Sequence, residues 1–317
     1  FYLECFTTCK KRKLKKLKSI TMKVLKCYIQ LLKFRLSITV VFSAVVGYLL
    51  GIETFAFNEF VFLIVGGFFV TGSANGFNQI LERDKDKLME RTANRPLPKG
   101  NLSVFQAIIF CSIMALLGLY LLNFINPQGS FYGFMSKSSL FGLVSILLYV
   151  LSYTPLKRVS TISIFVGAIP GAIPFLLGWV AATDDFGLAA GTLFAIQFFW
   201  QFPHFIAIAW VLNDEYKKAG FKMLFGGKKN TYPAVISIFT SVCMTLISVV
   251  PFFWSYTDLT LSIYAFILIL ILGIWFTNKS FNLYKETTDE SAKKLMLASF
   301  AYLPLMQIIY VLDNFFL

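Results

Sequence analysis

The sequence predicts an all-α polytopic membrane protein with nine transmembrane helices. Of its 317 residues, 57% are hydrophobic and only 14% are charged, whereas an ordinary soluble chain has about 25% charged residues. Apolar runs recur along the chain, and a run of roughly 20 residues is long enough to cross a bilayer. Backbone polar groups in lipid are fully satisfied only in helices or in a closed barrel, and runs of this length indicate helices.

Nine candidate spans divide the chain at fairly regular intervals. The fourth is short, and the last is interrupted by Pro304 and Gln307. The spans lie near residues 36–54, 60–80, 104–124, 139–155, 160–182, 187–212, 233–254, 259–277 and 295–316.

The distribution of basic residues supports nine crossings. If the N-terminus lies in the cytoplasm and each span crosses once, the inner segments contain 28 of the 29 Lys and Arg residues, and Lys137 alone lies outside. Such an excess of cytoplasmic Lys and Arg is the usual pattern in membrane proteins. The C-terminus is then expected outside. The inner segments are 1–35, 81–103, 156–159, 213–232 and 278–294.

Two regions follow from this count. We expect a basic cytoplasmic segment over residues 1–35 and a single transmembrane domain over 36–317. Met22 is the candidate start residue, with residues 1–21 read in from upstream. A net charge of +13 would suggest nucleic-acid binding in a soluble protein. Here the bases lie between apolar runs, so membrane lipid rather than nucleic acid is the expected partner.

A set of oxygen-bearing side chains follows the second span. Asn78, Glu82 and Asp86 are spaced four residues apart, so on a helix they share one face with a drift of about 40° per step. We call these three residues the acid ladder, whereas Asp84 points elsewhere. Mg²⁺ usually binds through one or two carboxylates together with phosphate oxygens of a substrate. The ladder therefore indicates a magnesium site where this helix leaves the membrane.

Bases follow the acid ladder in the same loop. Arg91, Arg95 and Lys99 could hold diphosphate oxygens. The alternative is a solvated loop in which acids and bases pair with one another at helical spacing.

Two further inner segments carry charge. Asp214, Glu215 and Tyr216 follow the sixth span, four spans after the acid ladder, which suggests a duplicated four-helix unit with two facing acidic sites. Lys157 and Arg158 follow the fourth span. They are either topology anchors or a further phosphate contact.

The single histidine lies within the sixth span. Gln201 and His204 are polar groups at membrane depth, where such groups are costly and usually functional. A structural histidine beside Pro203 is one interpretation. Ligation of a haem iron, or proton handling, is the other.

Several of these stretches together resemble the UbiA-type intramembrane prenyltransferases, and most closely their haem O synthase (protohaem IX farnesyltransferase) branch. The resemblance covers the chain from about residue 30 to the last span. Glu82 stands where many members have Asp, but it still supplies a carboxylate. The matching stretches are Asn78-x3-Glu82-x3-Asp86-x2-Met89-x-Arg91-Thr92-x2-Arg95-Pro96, Tyr153-Thr154-Pro155-Leu156-Lys157-Arg158, Trp200-Gln201-x-Pro203-His204-Phe205 and Asp214-Glu215-Tyr216.

The resemblance implies a central cavity among the nine helices and a reaction within it. Members join farnesyl diphosphate to a vinyl group of haem b, which gives haem O and diphosphate for terminal oxidases. The site residues that it implies fall into three groups. They are Asn78, Glu82, Asp86, Asp214 and Glu215 for catalytic Mg²⁺; Arg91, Arg95, Lys99, Lys157 and Arg158 for diphosphate; and His204, Gln201 and Tyr216 for the haem pocket.

The resemblance also implies a location and leaves rival functions open. It places the protein in a bacterial inner membrane, upstream of haem A synthase or oxidase assembly partners. One rival is a prenyltransferase of the same superfamily that acts on an aromatic quinone precursor. A rival from another class is a small-molecule transporter, in which the coupling charges are expected near mid-membrane.

Overall fold

The computed structural model describes residues 22–127, 133–254 and 259–316, and most of them are helical. Residues 22–31 form a helix ahead of the first span. The candidate start residue, Met22, is the first described residue and lies in this helix. Residues 1–21 of the predicted basic segment lie outside the described residues.

The nine predicted spans are confirmed within the described part of the chain, where nine helices are long and apolar enough to cross a membrane. A short helix also lies between the sixth and seventh spans. The helices are α1 (Phe34–Gly51), α2 (Phe57–Asp86), α3 (Val104–Leu122), α4 (Lys137–Leu156), α5 (Ile162–Thr183), α6 (Leu188–Val211), α7 (Asn213–Lys218), α8 (Thr231–Phe253), α9 (Ile263–Glu286) and α10 (Asp289–Phe316).

Helix α2 continues six residues beyond the end predicted from its apolar run. Glu82 and Asp86 lie on this extension and Asn78 lies just before it, and all three side chains of the acid ladder are buried. Apolar length alone marks where a helix leaves lipid, and it does not mark where the helix ends. The extension is therefore what carries the ladder into the protein interior.

Glycines allow the backbones of helices α1 and α5 to come into direct contact. A Cβ atom added to Gly178 would lie within 2 Å of the carbonyl oxygen of Ala44, and one added to Gly47 would lie 2.2 Å from that of Phe175. Small residues at such contacts allow close packing of membrane helices. This contact packs the second half of α1 against α5.

Two glutamines of α6 donate hydrogen bonds to backbone carbonyls of the proline-containing helix α5. Gln201 Nε2 donates to the carbonyl of Ala168 at 2.9 Å, and Gln197 Nε2 donates to that of Gly171 at 3.0 Å. Pro170 and Pro174 lie in this part of α5 and lack the N–H groups that would bond the carbonyls of Val166 and Pro170. The glutamines bond two other carbonyls of the same turns and tie α6 to α5. Gln201, expected in the haem pocket, thus makes hydrogen bonds in the α5–α6 contact.

Helix α4 changes character near its inner end. Residues Leu148–Tyr153 form a π-helical turn, a feature that is frequent at functional sites. The Thr154 hydroxyl donates to the carbonyl of Tyr149 at 2.8 Å, which satisfies one group of the widened turn. Tyr149 and Tyr153 are thereby presented to the same cavity as the acid ladder.

Candidate active site

A cavity of about 130 Å³ lies where the start of α1, the end of α2, the end of α4 and the segment after α6 converge. These are the helix ends that the charge distribution assigns to one side of the membrane. The lining residues are Lys33, Asn78, Glu82, Asp86, Met89, Arg91, Arg95, Tyr149, Tyr153, Lys157, Tyr216, Phe221 and Met223.

The acid ladder forms one wall of this cavity, as its spacing predicts. Asn78, Glu82 and Asp86 are only 2%, 4% and 1% exposed. Burying two carboxylates is costly unless they are paired or bind a cation. Their burial excludes the solvated-loop interpretation, and their partners show how the charge is balanced.

The amide of Asn78 has a defined orientation. Its Nδ2 donates to Thr154 Oγ1 at 3.1 Å, and that hydroxyl uses its own hydrogen to bond Tyr149. Asn78 Oδ1 is therefore the atom that faces Lys33, at 3.4 Å. An oxygen that lines the cavity in this way is suited to a cation.

Each carboxylate of the ladder is paired with one base. Asp86 Oδ2 lies 2.7 Å from Arg95 Nη1, and Glu82 Oε1 lies 2.5 Å from Lys157 Nζ. Asp86 Oδ1 is buried and has no hydrogen-bond partner among the residues described. The carboxylate thus keeps one oxygen free for a ligand, while its other oxygen is held by Arg95.

Sequence reasoning gave no role to Lys33, which also lines the cavity. Its backbone is left-handed, with φ of 47°, an uncommon conformation for a residue other than glycine. Gln79 Nε2 holds this turn by donating to the carbonyl of Leu31 at 2.7 Å. Burial, together with the charges of Arg95 and Lys157, lowers the pKa of Lys33 to about 7.

The charge of the cavity favours a ligand that combines an anion and a metal ion. Four bases and two acids line it, which leaves two formal positive charges when Lys33 is protonated. The described residues contain no group of three or more His, Cys, Asp or Glu side chains arranged for a metal. Two carboxylates and an amide fit Mg²⁺ that takes its remaining ligands from phosphate and water.

Several predicted site residues lie elsewhere. Asp214 and Lys99 are exposed, and the Arg158 guanidinium donates to the carbonyl of Leu81 at 2.9 Å. Glu215 does not line the cavity, but its Oε2 is buried and has no hydrogen-bond partner among the described residues. Metal binding by Asp214 and Glu215 and phosphate binding by Lys99 and Arg158 remain predictions.

The segment after α6 reaches the cavity through its aromatic residues. Tyr216 and Phe221 line it, and the backbone N–H of Lys222 donates to the carbonyl of Lys157 at 2.7 Å. The side chain of His204, on α6, reaches α10, where its Nδ1 is 2.8 Å from Ser299 Oγ. Of the three residues predicted for the haem pocket, Tyr216 is the one that meets the acid ladder's cavity.

Comparison with known proteins identifies relatives along almost the whole chain. The chain is 47% identical over 289 residues to a protoheme IX farnesyltransferase of Flavobacterium psychrophilum, which covers 90% of this chain and 93% of the relative. It is 48% identical to the protoheme IX farnesyltransferase of Christiangramia forsetii, with coverage of 92% and 94%. A mitochondrial protoheme IX farnesyltransferase of Arabidopsis thaliana is 34% identical over 88% of this chain and 63% of its own length.

Solved structures share the fold. A digeranylgeranylglyceryl phosphate synthase superposes with a TM-score of 0.75 at 22% identity, covering 93% of this chain and 99% of that one. A UbiA homologue from Archaeoglobus fulgidus bound to GPP and Mg²⁺ superposes with a TM-score of 0.67 at 17% identity, covering 90% and 99%. The model of the UbiA prenyltransferase family matches residues 40–302. The chain therefore belongs to the UbiA prenyltransferase family.

Proposed function

We propose that this protein transfers the farnesyl group of farnesyl diphosphate to a vinyl group of haem b, giving haem O and diphosphate. One observation carries the proposal: relatives that are 47% and 48% identical over at least 90% of the chain are protoheme IX farnesyltransferases. The reaction forms one carbon–carbon bond to the vinyl group, breaks the carbon–oxygen bond of the diphosphate ester and adds hydroxide from water to the porphyrin side chain. The remaining proton of that water passes to the released diphosphate.

The buried cavity is suited to the diphosphate. Arg91, Arg95, Lys157 and Lys33 line it, and charge-assisted hydrogen bonds from such groups hold phosphate oxygens strongly. In this structure Arg95 pairs with Asp86, and Lys157 pairs with Glu82. We infer that these two bases exchange part of that pairing for phosphate oxygens when substrate binds.

Asn78, Glu82 and Asp86 are the residues that would hold Mg²⁺. Bound there, Mg²⁺ would neutralise charge that develops on the departing diphosphate, a common contribution of metal ions to catalysis. The solved UbiA homologue with GPP and Mg²⁺ supports the pairing of metal and prenyl diphosphate. The unpartnered oxygen of Asp86 and the oriented oxygen of Asn78 would supply protein ligands.

Apolar and aromatic side chains form the other wall of the cavity. Met89, Met223, Tyr149 and Phe221 lie beside the charged groups. A wall of this kind excludes water from a carbon centre that becomes electron-poor during transfer. We expect it to direct the farnesyl group toward haem rather than toward hydrolysis.

We propose a location in a bacterial inner membrane, with the N-terminus in the cytoplasm and the C-terminus outside. The nine apolar helices among the described residues support a membrane location, and the positions of the Lys and Arg residues support this orientation. The cavity then opens toward the cytoplasm, where farnesyl diphosphate is soluble enough to arrive. We propose residues 36–317 as one transmembrane domain, and haem A synthase or an oxidase assembly factor as the recipient of haem O.

Substitution of the buried lysine tests the diphosphate site. We expect Lys33→Met to weaken the binding of inorganic diphosphate with Mg²⁺ by ~10–100-fold, because a hydrogen bond to a charged group contributes about 1.5–3 kcal/mol. Titration calorimetry on the detergent-purified protein measures this effect. Lys87→Met is the control, because Lys87 is exposed and pairs with Asp84. Equal affinities of the two variants would contradict a role for Lys33.

Haem analysis tests the proposed reaction. Expression in cells that lack haem O should produce a haem heavier than haem b by one farnesyl and one hydroxyl group, detected by mass spectrometry of extracted pigments. Supplying an aromatic quinone precursor in a parallel incubation distinguishes the rival acceptor. Prenylation of that precursor with unchanged haem b would contradict the proposal.

A further inference from the structure

The histidine of α6 and a serine of α10 form a contact outside the diphosphate cavity. His204 Nδ1 lies 2.8 Å from Ser299 Oγ. The imidazole stacks on Trp200, with ring centroids 4.7 Å apart and an interplanar angle of 17°, and Phe300 meets it edge-on at 5.1 Å. The Trp200 indole donates to the Ser299 carbonyl at 3.1 Å. The imidazole of His204 is therefore held by the Ser299 hydroxyl and by the rings of Trp200 and Phe300, and Trp200 is itself hydrogen-bonded to Ser299.

The hydrogen bonds of Ser299 define which nitrogen of His204 carries the proton. A serine hydroxyl has one hydrogen, and that of Ser299 bonds the carbonyl of Met296 at 2.6 Å. Ser299 Oγ must therefore accept a hydrogen bond from His204 Nδ1–H. In the neutral imidazole this leaves Nε2 with an unprotonated lone pair.

That second nitrogen is available for a ligand. No residue that the structure describes hydrogen-bonds Nε2 of His204, and this nitrogen is not fully buried. The residue is partly exposed. A histidine that donates one N–H to an oxygen and presents the other nitrogen bare has the arrangement usual for metal-ligating histidines.

His204 and one residue that lines the cavity lie at the same spacing from the inner ends of their helices. His204 and Tyr149 each lie seven residues before the inner ends of their helices, α6 and α4, which is about 10 Å along the axis. Tyr149 lines the cavity that the acid ladder forms. His204 and this cavity-lining residue thus have the same spacing from the inner ends of their helices.

We propose that His204 Nε2 binds the iron of the acceptor haem as an axial ligand, and that Ser299 is a positioning residue that fixes the tautomer and the ring plane. The inference rests on the proposed function, since the haem is the acceptor substrate. Iron ligation holds the porphyrin in one orientation and thereby selects which vinyl group meets the farnesyl carbon. The hydrogen bond from Nδ1 to Ser299 increases the basicity of Nε2.

Isotope labelling gives a direct test, because the 317 residues contain a single histidine. The protein is purified in detergent with a histidine-free affinity tag, loaded with ferrous haem b and examined by resonance Raman spectroscopy. We expect the iron–histidine stretching band to shift when the protein is labelled with ¹⁵N-histidine. We expect no such band in His204→Gly, and its return when imidazole is added.

Two serine variants separate positioning from packing. Ser299→Ala should lower the affinity for haem b about 10–100-fold, the usual effect of losing the hydrogen-bond partner of a metal-ligating histidine, and should move the iron–histidine band. Ser241→Ala is the matched control: this buried serine bonds Ser280, 2.9 Å away, and should leave both readouts unchanged. If Ser299→Ala also leaves both unchanged, Ser299 has no positioning role.

The outcomes distinguish this inference from the proposed function. Haem O formation by a wild-type protein whose haem spectrum is insensitive to the histidine label would overturn iron ligation and leave the farnesyl transfer intact. A label-sensitive iron–histidine band in a protein that forms no haem O would support the haem site and overturn the proposed function. Failure of the wild type to bind haem b would overturn the inference.

Discussion

The Asp86→Asn variant is expected to lose farnesyl transfer while it remains folded in the membrane. Asp86 is buried, one of its oxygens is held by Arg95 at 2.7 Å, and the other has no hydrogen-bond partner among the described residues. Asparagine keeps the shape but removes the negative charge that a divalent cation needs. We expect activity to fall at least ~100-fold, which is about 2.7 kcal/mol of transition-state stabilisation.

Asp84→Asn is the matched control for this experiment. Asp84 lies two residues away on the same helix, but its side chain is 69% exposed and pairs with Arg83 and Lys87 at the surface. Its substitution should leave haem O formation within about twofold of the wild type, because surface ion pairs contribute little. Normal activity of a well-expressed Asp86→Asn protein would contradict the assignment of the acid ladder.

The Gly178→Ala variant is expected to have the largest effect on stability. The new Cβ atom would lie within 2 Å of the carbonyl oxygen of Ala44 and 2.7 Å from the backbone nitrogen of Tyr48. These are backbone atoms of α1, so no side chain can rotate to relieve the clash. We expect a cost at or above the upper end of the ~1–3 kcal/mol range for overpacking, seen as a lower thermal unfolding midpoint in detergent.

Gly67→Ala is the comparison for the glycine experiment. Its nearest neighbour would be Val41 Cγ2 at 3.8 Å, an ordinary contact, and alanine favours a helix over glycine by roughly 1 kcal/mol. This variant should unfold at the wild-type midpoint or slightly above it. If Gly178→Ala behaved in the same way, the close approach of α1 and α5 would not hold in the protein.

The membrane fold can be predicted from the sequence because each span is a local property. Apolar length and the positions of bases identify nine crossings without knowledge of how the helices pack. The ends of the helices are less local. Helix α2 runs through the charged Glu82 and Asp86 because packing buries its polar face, and hydropathy contains no signal for such packing.

The candidate site is predictable where its residues share one element. Helical spacing alone brings Asn78, Glu82 and Asp86 together. Lys33 was missed because it meets Asn78 through tertiary contact, and the two residues are 45 positions apart in the sequence. Lys99 lies in the same loop as Arg95, yet Arg95 lines the cavity and Lys99 does not. The path of the loop decides this, and residue spacing does not predict it.

Anomalous X-ray diffraction from crystals grown with Mn²⁺ and the unreactive analogue farnesyl thiodiphosphate tests the central claim most directly. Mn²⁺ replaces Mg²⁺ and can be located by its own scattering. The structure predicts a peak beside Asp86 Oδ1 and Asn78 Oδ1, with the diphosphate against Arg91 and Lys157. Diphosphate and metal found together away from α2, for example at Asp214 alone, would contradict it.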